Sequence, residues 1–244
     1  MKATIAFSAI LFLMTSAFIS ADVYILQNNH SDEYYDLGVP RPASDSLRET
    51  WIGEGKLVRI TDTKKIIADF PAKKLFIVNL REKTYVQTDL PLQWEKFVEP
   101  SILGAIRNFA VTGTVEPLKK GKKIKDWNCK SFRLNTWVDY QNTRFNDMEM
   151  TLWLTEDLDV GPHYKDFHNI VLKLSNYSDE LLEKVQVTKG VPVLVEITLH
   201  DLGNVRKMRN EVREISRKKA PAGTYDIPEG FKPKERMSAR DLRN

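Results

Sequence analysis

Four histidines, one cysteine and a scatter of carboxylates are the groups with which this chain could perform acid–base, nucleophilic or metal chemistry. His163 and His168 are five residues apart, whereas a zinc pair on a helix stands at i, i+4 with a glutamate between, so that both imidazoles reach one ion. His30 and His200 have no partner in the pattern. Asp89, Glu95, Glu149 and Glu196 fall on separate stretches and form no general acid–base pair. A serine elbow, a zinc-peptidase motif, a phosphate loop and a Cys–His arrangement are all missing from the sequence. No catalytic residue, no metal ligand and no cofactor is therefore named, and a non-enzymatic role is expected.

Cys129 is the single cysteine, so an intramolecular disulfide is impossible. Its functional readings are a reactive thiol or an intermolecular bridge; the reading preferred is a small buried hydrophobe on a strand. The basic groups offer a different chemistry. Lys119, Lys120, Lys122 and Lys123 surround Gly121 and read as a solvated basic turn. Arg206, Arg209 and Arg213 head a second basic run, 204–220, whose charges serve either to contact an anionic partner or to block pairing at a sheet edge. Those three arginines are the residues that would bind a protein partner. The net charge is +4, and removing the leader with its Lys2 leaves 36 basic against 33 acidic residues, or +3. That bias is too weak to imply nucleic acid.

These groups must be positioned by a chain of 244 residues with 42% hydrophobic content, enough for one large domain with a packed core. Met1–Ala21 reads as a signal peptide: a lone Lys2, an apolar stretch, and small residues at a cut after Ala21. The stretch is shorter and more interrupted than the ~20 apolar residues that span a bilayer, so no transmembrane segment is expected after cleavage. No cysteine lies near the cut, so no lipobox is expected, and the expected location is periplasmic or secreted.

The mature chain is organised around Glu49–Leu92. Short runs centred on Trp51, Val58, Ile67, Phe76 and Tyr85 alternate with polar turns, which predicts an antiparallel meander. Asp22–Gln27 is an expected strand and 28–45 an expected loop with Pro40 and Pro42. Trp94, Phe97, Ile102 and Ile106 recur at helical spacing, and Pro100 at a new first turn predicts two short helices or one kinked one. Strands return over 109–117, 130–138 and 147–154, with 139–145 as the connection between the last two. A second helical insert covers 163–187, with Ser178 as an N-cap. A strand is expected over 191–199. Local propensity favours helix over 204–220, whereas the preceding turn and pairing with 191–199 favour a strand, and the strand is the choice that the resemblance given below implies. Residues 221–231 are expected to be extended, and 232–244 to form a charged, disordered tail.

Several of these pieces together resemble a bacterial family of exported envelope proteins of uncharacterised function. They are ETWIGEGKL (Glu49–Leu57), LFIVNLREKTYVQTDLPL (Leu75–Leu92), GTVEPLKKGKKIKDWNCKSFRL (Gly113–Leu134), MTLWLTEDLDV (Met150–Val160) and APAGTYDIPEGF (Ala220–Phe231). The family's domain is similar to the LolA/LolB-like, lipoprotein-carrier-like fold. The resemblance implies a mainly β (α+β) protein, a strongly curved antiparallel half-barrel with helical inserts over its concave face, spanning 22–231 as one domain. It also implies an apolar cavity between sheet and helices. The expected function is a binding or carrier protein for a lipid or other apolar ligand, with an envelope protein-interaction or sensor module as the alternative. Trp51, Phe76, Trp94, Phe97, Ile106, Trp137 and Trp153 are the aromatic and apolar residues expected to line the cavity.

Overall fold

The computed structural model describes residues 21–36, 38–201 and 204–242; residues 1–20 of the expected signal peptide lie outside them. Among the described residues, fourteen strands and five short helices follow one another. β1 (Asp22–Ser31) is followed by a small hairpin of β2 (Tyr34–Asp36) and β3 (Val39–Arg41). The meander comprises β4 (Ser44–Ile52), β5 (Lys56–Ile60), β6 (Lys64–Asp69), β7 (Lys74–Asn79) and β8 (Thr84–Asp89). Helices α1 (Trp94–Phe97) and α2 (Pro100–Asn108) lead into three long strands, β9 (Val111–Ile124), β10 (Trp127–Tyr140) and β11 (Thr143–Thr155). Helices α3 (Tyr164–Leu174) and α4 (Asp179–Val185) precede β12 (Val191–Asp201) and β13 (Asn204–Lys218), and β14 (Lys232–Lys234) and α5 (Ala239–Leu242) end the described chain.

Twelve strands form one sheet in the order β14-β8-β7-β6-β5-β4-β1-β13-β12-β11-β10-β9, antiparallel throughout except for the β14–β8 pair. Its edges are different strands, so the sheet is open. No helix among the described residues is long and apolar enough to cross a membrane.

Strand side chains point alternately to the two faces, and the meander uses both. Val23, Ile25, Ile52, Leu57, Ala68, Leu75, Ile77 and Val86 bury one face together with Phe97, Val98, Ile106 and Phe167 from the helical segments. Trp51, Val58, Ile67 and Phe76 stand directly opposite one another across successive strands and bury the other face. Two of the hairpins repeat one turn chemistry. Asp69 Oδ1 accepts from the Ala72 N–H at 3.0 Å, Asn79 Oδ1 accepts from Arg81 and Glu82 at 3.1 and 3.0 Å, and each turn ends on a lysine at φ 53°.

Four segments differ from the sequence expectation. Residues 28–45 are mostly strand: β1 and β4 pair as far as Ser31 and Ser44, and polar side chains read as loop because both faces of this end are largely solvated. The basic run 119–123 lies inside β9, beside a bulge where Gly121 pairs with Lys130 and Leu118 with Ser131. The turn comes later, at Lys125 and Asp126, and its lysine at φ 52° donates to the Val212 and Arg213 carbonyls. Residues 221–231 are a series of turns packed on the second face of the meander through Tyr225, Ile227 and Phe231.

The fourth is the tail, which is ordered from 232 to 241. Met237 is 2% exposed and its backbone exchanges hydrogen bonds with Phe97 and Glu99 at 2.7 and 2.9 Å. Asp241 accepts from Lys234 at 2.7 Å and from Asn79 at 3.2 Å. Charged residues that read as solvated are used as internal partners, so composition alone misjudged them. The helical inserts follow the expected pattern more closely: Pro100 is the first residue of α2, and Ser178 Oγ accepts from the Leu181 N–H at 3.1 Å as the cap of α4.

Candidate functional site

Helices α3 and α4 stand over the half of the sheet built by β9–β12, and they do not fill the space beneath them. A cavity of about 650 Å³ remains. Leu134 and Val138 of β10, Met148, Met150 and Leu152 of β11, and Val195 and Ile197 of β12 form its sheet wall. Val171 and Leu172 of α3, Tyr177, and Val185 of α4 form the opposite wall. A second cavity of about 340 Å³ shares Leu154, Tyr164, His168, Val185, Thr188 and Pro192 with the first, so the two adjoin. Gly190 begins the chain that borders the second; at φ 100° it lies so close to the Thr155 carbonyl that a Cβ would collide with it.

The charged groups of the lining lie at the end where the cavity meets the meander. Gln27, Arg48 and Arg59 project from neighbouring strands β1, β4 and β5, and Tyr164 and His168 from α3. Arg59 is opposite Thr50, and Arg48 is two residues along β4, so the two guanidinium groups share a face as diagonal neighbours. Nε of each is shut off from solvent and has no hydrogen-bond partner among the described residues, as is true of His168 Nδ1. Burial, and then the like charge of Arg48, lowers the Arg59 pKa to about 10. Burial lowers Arg48 as well. Burial, with Arg59 and Arg48 adding to it, pushes His168 down to about 3, so its imidazole is neutral near pH 7. Burial raises Tyr164 against the pull of both arginines, and raises Tyr177 to about 12. No carboxylate lines this cavity.

Of the seven residues expected to line a cavity, Trp137 does so. It sits at a bulge in β10, its Nε1 donates to Asp139 at 2.7 Å, and Arg144 lies 3.9 Å from its ring. Trp51 and Phe76 face the other side of the meander, beneath the 220–231 segment. Trp94, Phe97 and Ile106 pack in the core under the first helical insert, with Trp94 and Phe97 stacked at 5.2 Å. Trp153 lies between Leu152 and Leu154, which face the cavity, and so points the opposite way, where Nε1 donates to Glu196 at 3.3 Å.

The three arginines expected to bind a partner do not act as one patch. Arg206 donates to Ser31 Oγ at 3.0 Å and covers the Tyr34 ring at 4.3 Å. Arg209 and Arg213 share Glu211 on one face, at 3.5 and 3.8 Å, and alternation sets Arg206 on the other. Cys129 is buried, and burial raises its thiol pKa.

Sequence reading missed Arg48 and Arg59. The signal was available: each occupies a position in phase with the core-facing residues of its own strand, Ile52 on β4 and Leu57 on β5, where an apolar side chain is the rule.

Fold and site together define an open, mostly antiparallel β protein with a cavity between sheet and helices. The chain belongs to the DUF4412 family, described as a domain of unknown function, whose model matches residues 45–231. No curated protein matches the chain.

Proposed function

We propose that this protein is a non-catalytic binding or carrier protein for a lipid or other apolar ligand, acting in the periplasm or outside the cell as a LolA-like domain. The observation that carries the reading is the cavity of about 650 Å³ with its largely apolar wall. Its size falls within the roughly 300–1,000 Å³ of pockets that enclose small ligands. Binding is favoured over acid–base catalysis because the groups in the wall are held far from neutral titration: His168 near 3, Arg59 near 10 and Tyr177 near 12.

The test is native mass spectrometry of residues 22–244, exported with the leader and purified from the periplasm without detergent, together with titration by an uncharged fluorescent probe, N-phenyl-1-naphthylamine. A mass excess removed by organic extraction, or saturable probe binding, is expected. A clean mass combined with no probe binding would overturn the reading.

A further inference from the structure

The apolar cavity ends in two cations that have no counter-ion among the described residues. Elsewhere the chain pairs its charges closely, as in Lys56 with Asp69 at 3.0 Å and Arg107 with Glu95 at 2.7 Å. Arg48 and Arg59 form no ion pair among the described residues, although both lie deep enough for burial to lower their pKa values. The Phe167 ring, 5.7 Å from the Arg59 guanidinium, is an aromatic contact that leaves the charge uncompensated. Both side chains are half-buried with Nε closed to solvent; holding a cation there unpaired costs solvation, and placing a second on a diagonal strand position adds repulsion. Packing does not require it, since the same face of β4 and β5 carries Ile52 and Leu57.

What these groups lack is an oxyanion. A guanidinium offers parallel N–H donors that match a carboxylate, and a low-polarity surrounding strengthens that contact. Gln27, directly opposite Arg48 across the β1–β4 ladder, adds a side-chain amide at the same end. Most of the rest of the wall is apolar, and its volume suits one chain better than two.

We propose that Arg48 and Arg59 bind the carboxylate of a single-chain fatty acid whose tail lies along Leu134, Met150, Leu152 and Val195. This rests on the reading of the cavity as an apolar-ligand site and supplies its head-group chemistry.

The test compares palmitate with 1-hexadecanol, which has the same chain and no charge, by displacement of N-phenyl-1-naphthylamine from the wild-type chain and from Arg48→Met and Arg59→Met. Palmitate should bind wild type at least about tenfold more tightly than the alcohol, and each variant should lose about ten- to a hundredfold for palmitate while keeping its affinity for the alcohol. Arg59→Lys, which keeps the charge and loses the fork, should fall between. Melting of the ligand-free variants provides the second reading: both Met variants should melt at or above the wild-type temperature, because an unpaired, half-buried charge has been removed. Equal affinity for acid and alcohol, unchanged palmitate affinity in both variants, or a large fall in melting temperature would overturn the head-group assignment and leave the cavity reading standing. Inorganic phosphate displacing palmitate at equal concentration would show a free-anion site and overturn it too. Failure of wild type to bind the probe and both ligands would overturn both readings.

Discussion

Lys65 Nζ donates to the Asp226 carbonyl at 2.7 Å and so ties the 220–231 segment to the middle of the meander. The same ammonium donates to the Gly223 carbonyl at 3.0 Å, and the residue is only 6% exposed. Burial lowers its pKa, with the Asp226 charge opposing, so the charge is held in place by these acceptors. Lys65→Met keeps the stem and removes the donors, leaving two carbonyls without partners under Trp51, Val58 and Ile67. A loss of about 1–3 kcal/mol in urea unfolding is expected, with faster amide exchange confined first to 221–231. Uniform exchange rates in wild type and variant would show that apolar packing alone holds the segment.

His168 gives the fold an acid-sensitive limb. Its folded pKa of about 3 lies below the ordinary imidazole value of 6.5, because burial and then Arg59 and Arg48 disfavour the charged form. The unfolded chain therefore binds a proton between about pH 6.5 and 3 that the folded chain does not. The stability contributed by the neutral ring is fully present above 6.5 and is lost as pH falls through that window, with a slope of at most about 1.4 kcal/mol per pH unit. The depressed carboxylates, Asp45, Asp69, Asp89 and Asp241, lose their contribution only as pH falls from the ordinary aspartate value of 3.8, at the acid end of this window and below it. His168→Gln should flatten the stability profile between pH 6.5 and 4. An identical slope in the variant would place the acid sensitivity elsewhere.

Ser178→Ala removes the acceptor for the Leu181 N–H at the start of α4. About 1 kcal/mol should be lost, because an orphan donor of the first turn goes unsatisfied. Leu181, Leu182 and Val185 of the same helix are buried, so the loss falls on the cover of the cavity. Probe dissociation should quicken along with the fall in denaturation midpoint, and a changed midpoint with unchanged dissociation would separate the cap from the cavity.

The meander was legible because its signal is local. Trp51, Val58, Ile67 and Phe76 mark one face by period alone, and the turns between them carry side chains that close on their own backbone. The split at Pro100 and the cap at Ser178 were legible for the same reason. The cavity was not. An aromatic residue in phase with a core reads identically whether it meets a helix, a folded tail or open space, and so Trp51, Phe76 and Trp153 were grouped with Trp137 although they face away from it. Tail residues such as Lys234 and Asp241 were misread because each has a partner far away in sequence, Glu82 for Lys234 and Asn79 for Asp241. Arg48 and Arg59 break the apolar phase of two strands, a departure visible only once the face of each strand is known.

Narrowing the cavity from both sides tests whether its open volume has a use. Val195 stands on the sheet wall and Leu172 on the helix wall, and neither approaches the arginine end through a hydrogen bond or ion pair. Replacing both by tryptophan adds bulk where the structure has room, so the cost in stability should stay below the roughly 1–3 kcal/mol typical of overpacking a closed core. Binding of N-phenyl-1-naphthylamine should fall by at least about tenfold, while far-ultraviolet circular dichroism and the cooperativity of unfolding stay as in wild type. A filled, inaccessible interior predicts the reverse pairing: large destabilisation and no binding to lose. The two outcomes differ in sign on both measurements, which makes this double variant a sharper probe of the cavity than truncation, since a smaller side chain would enlarge either kind of interior.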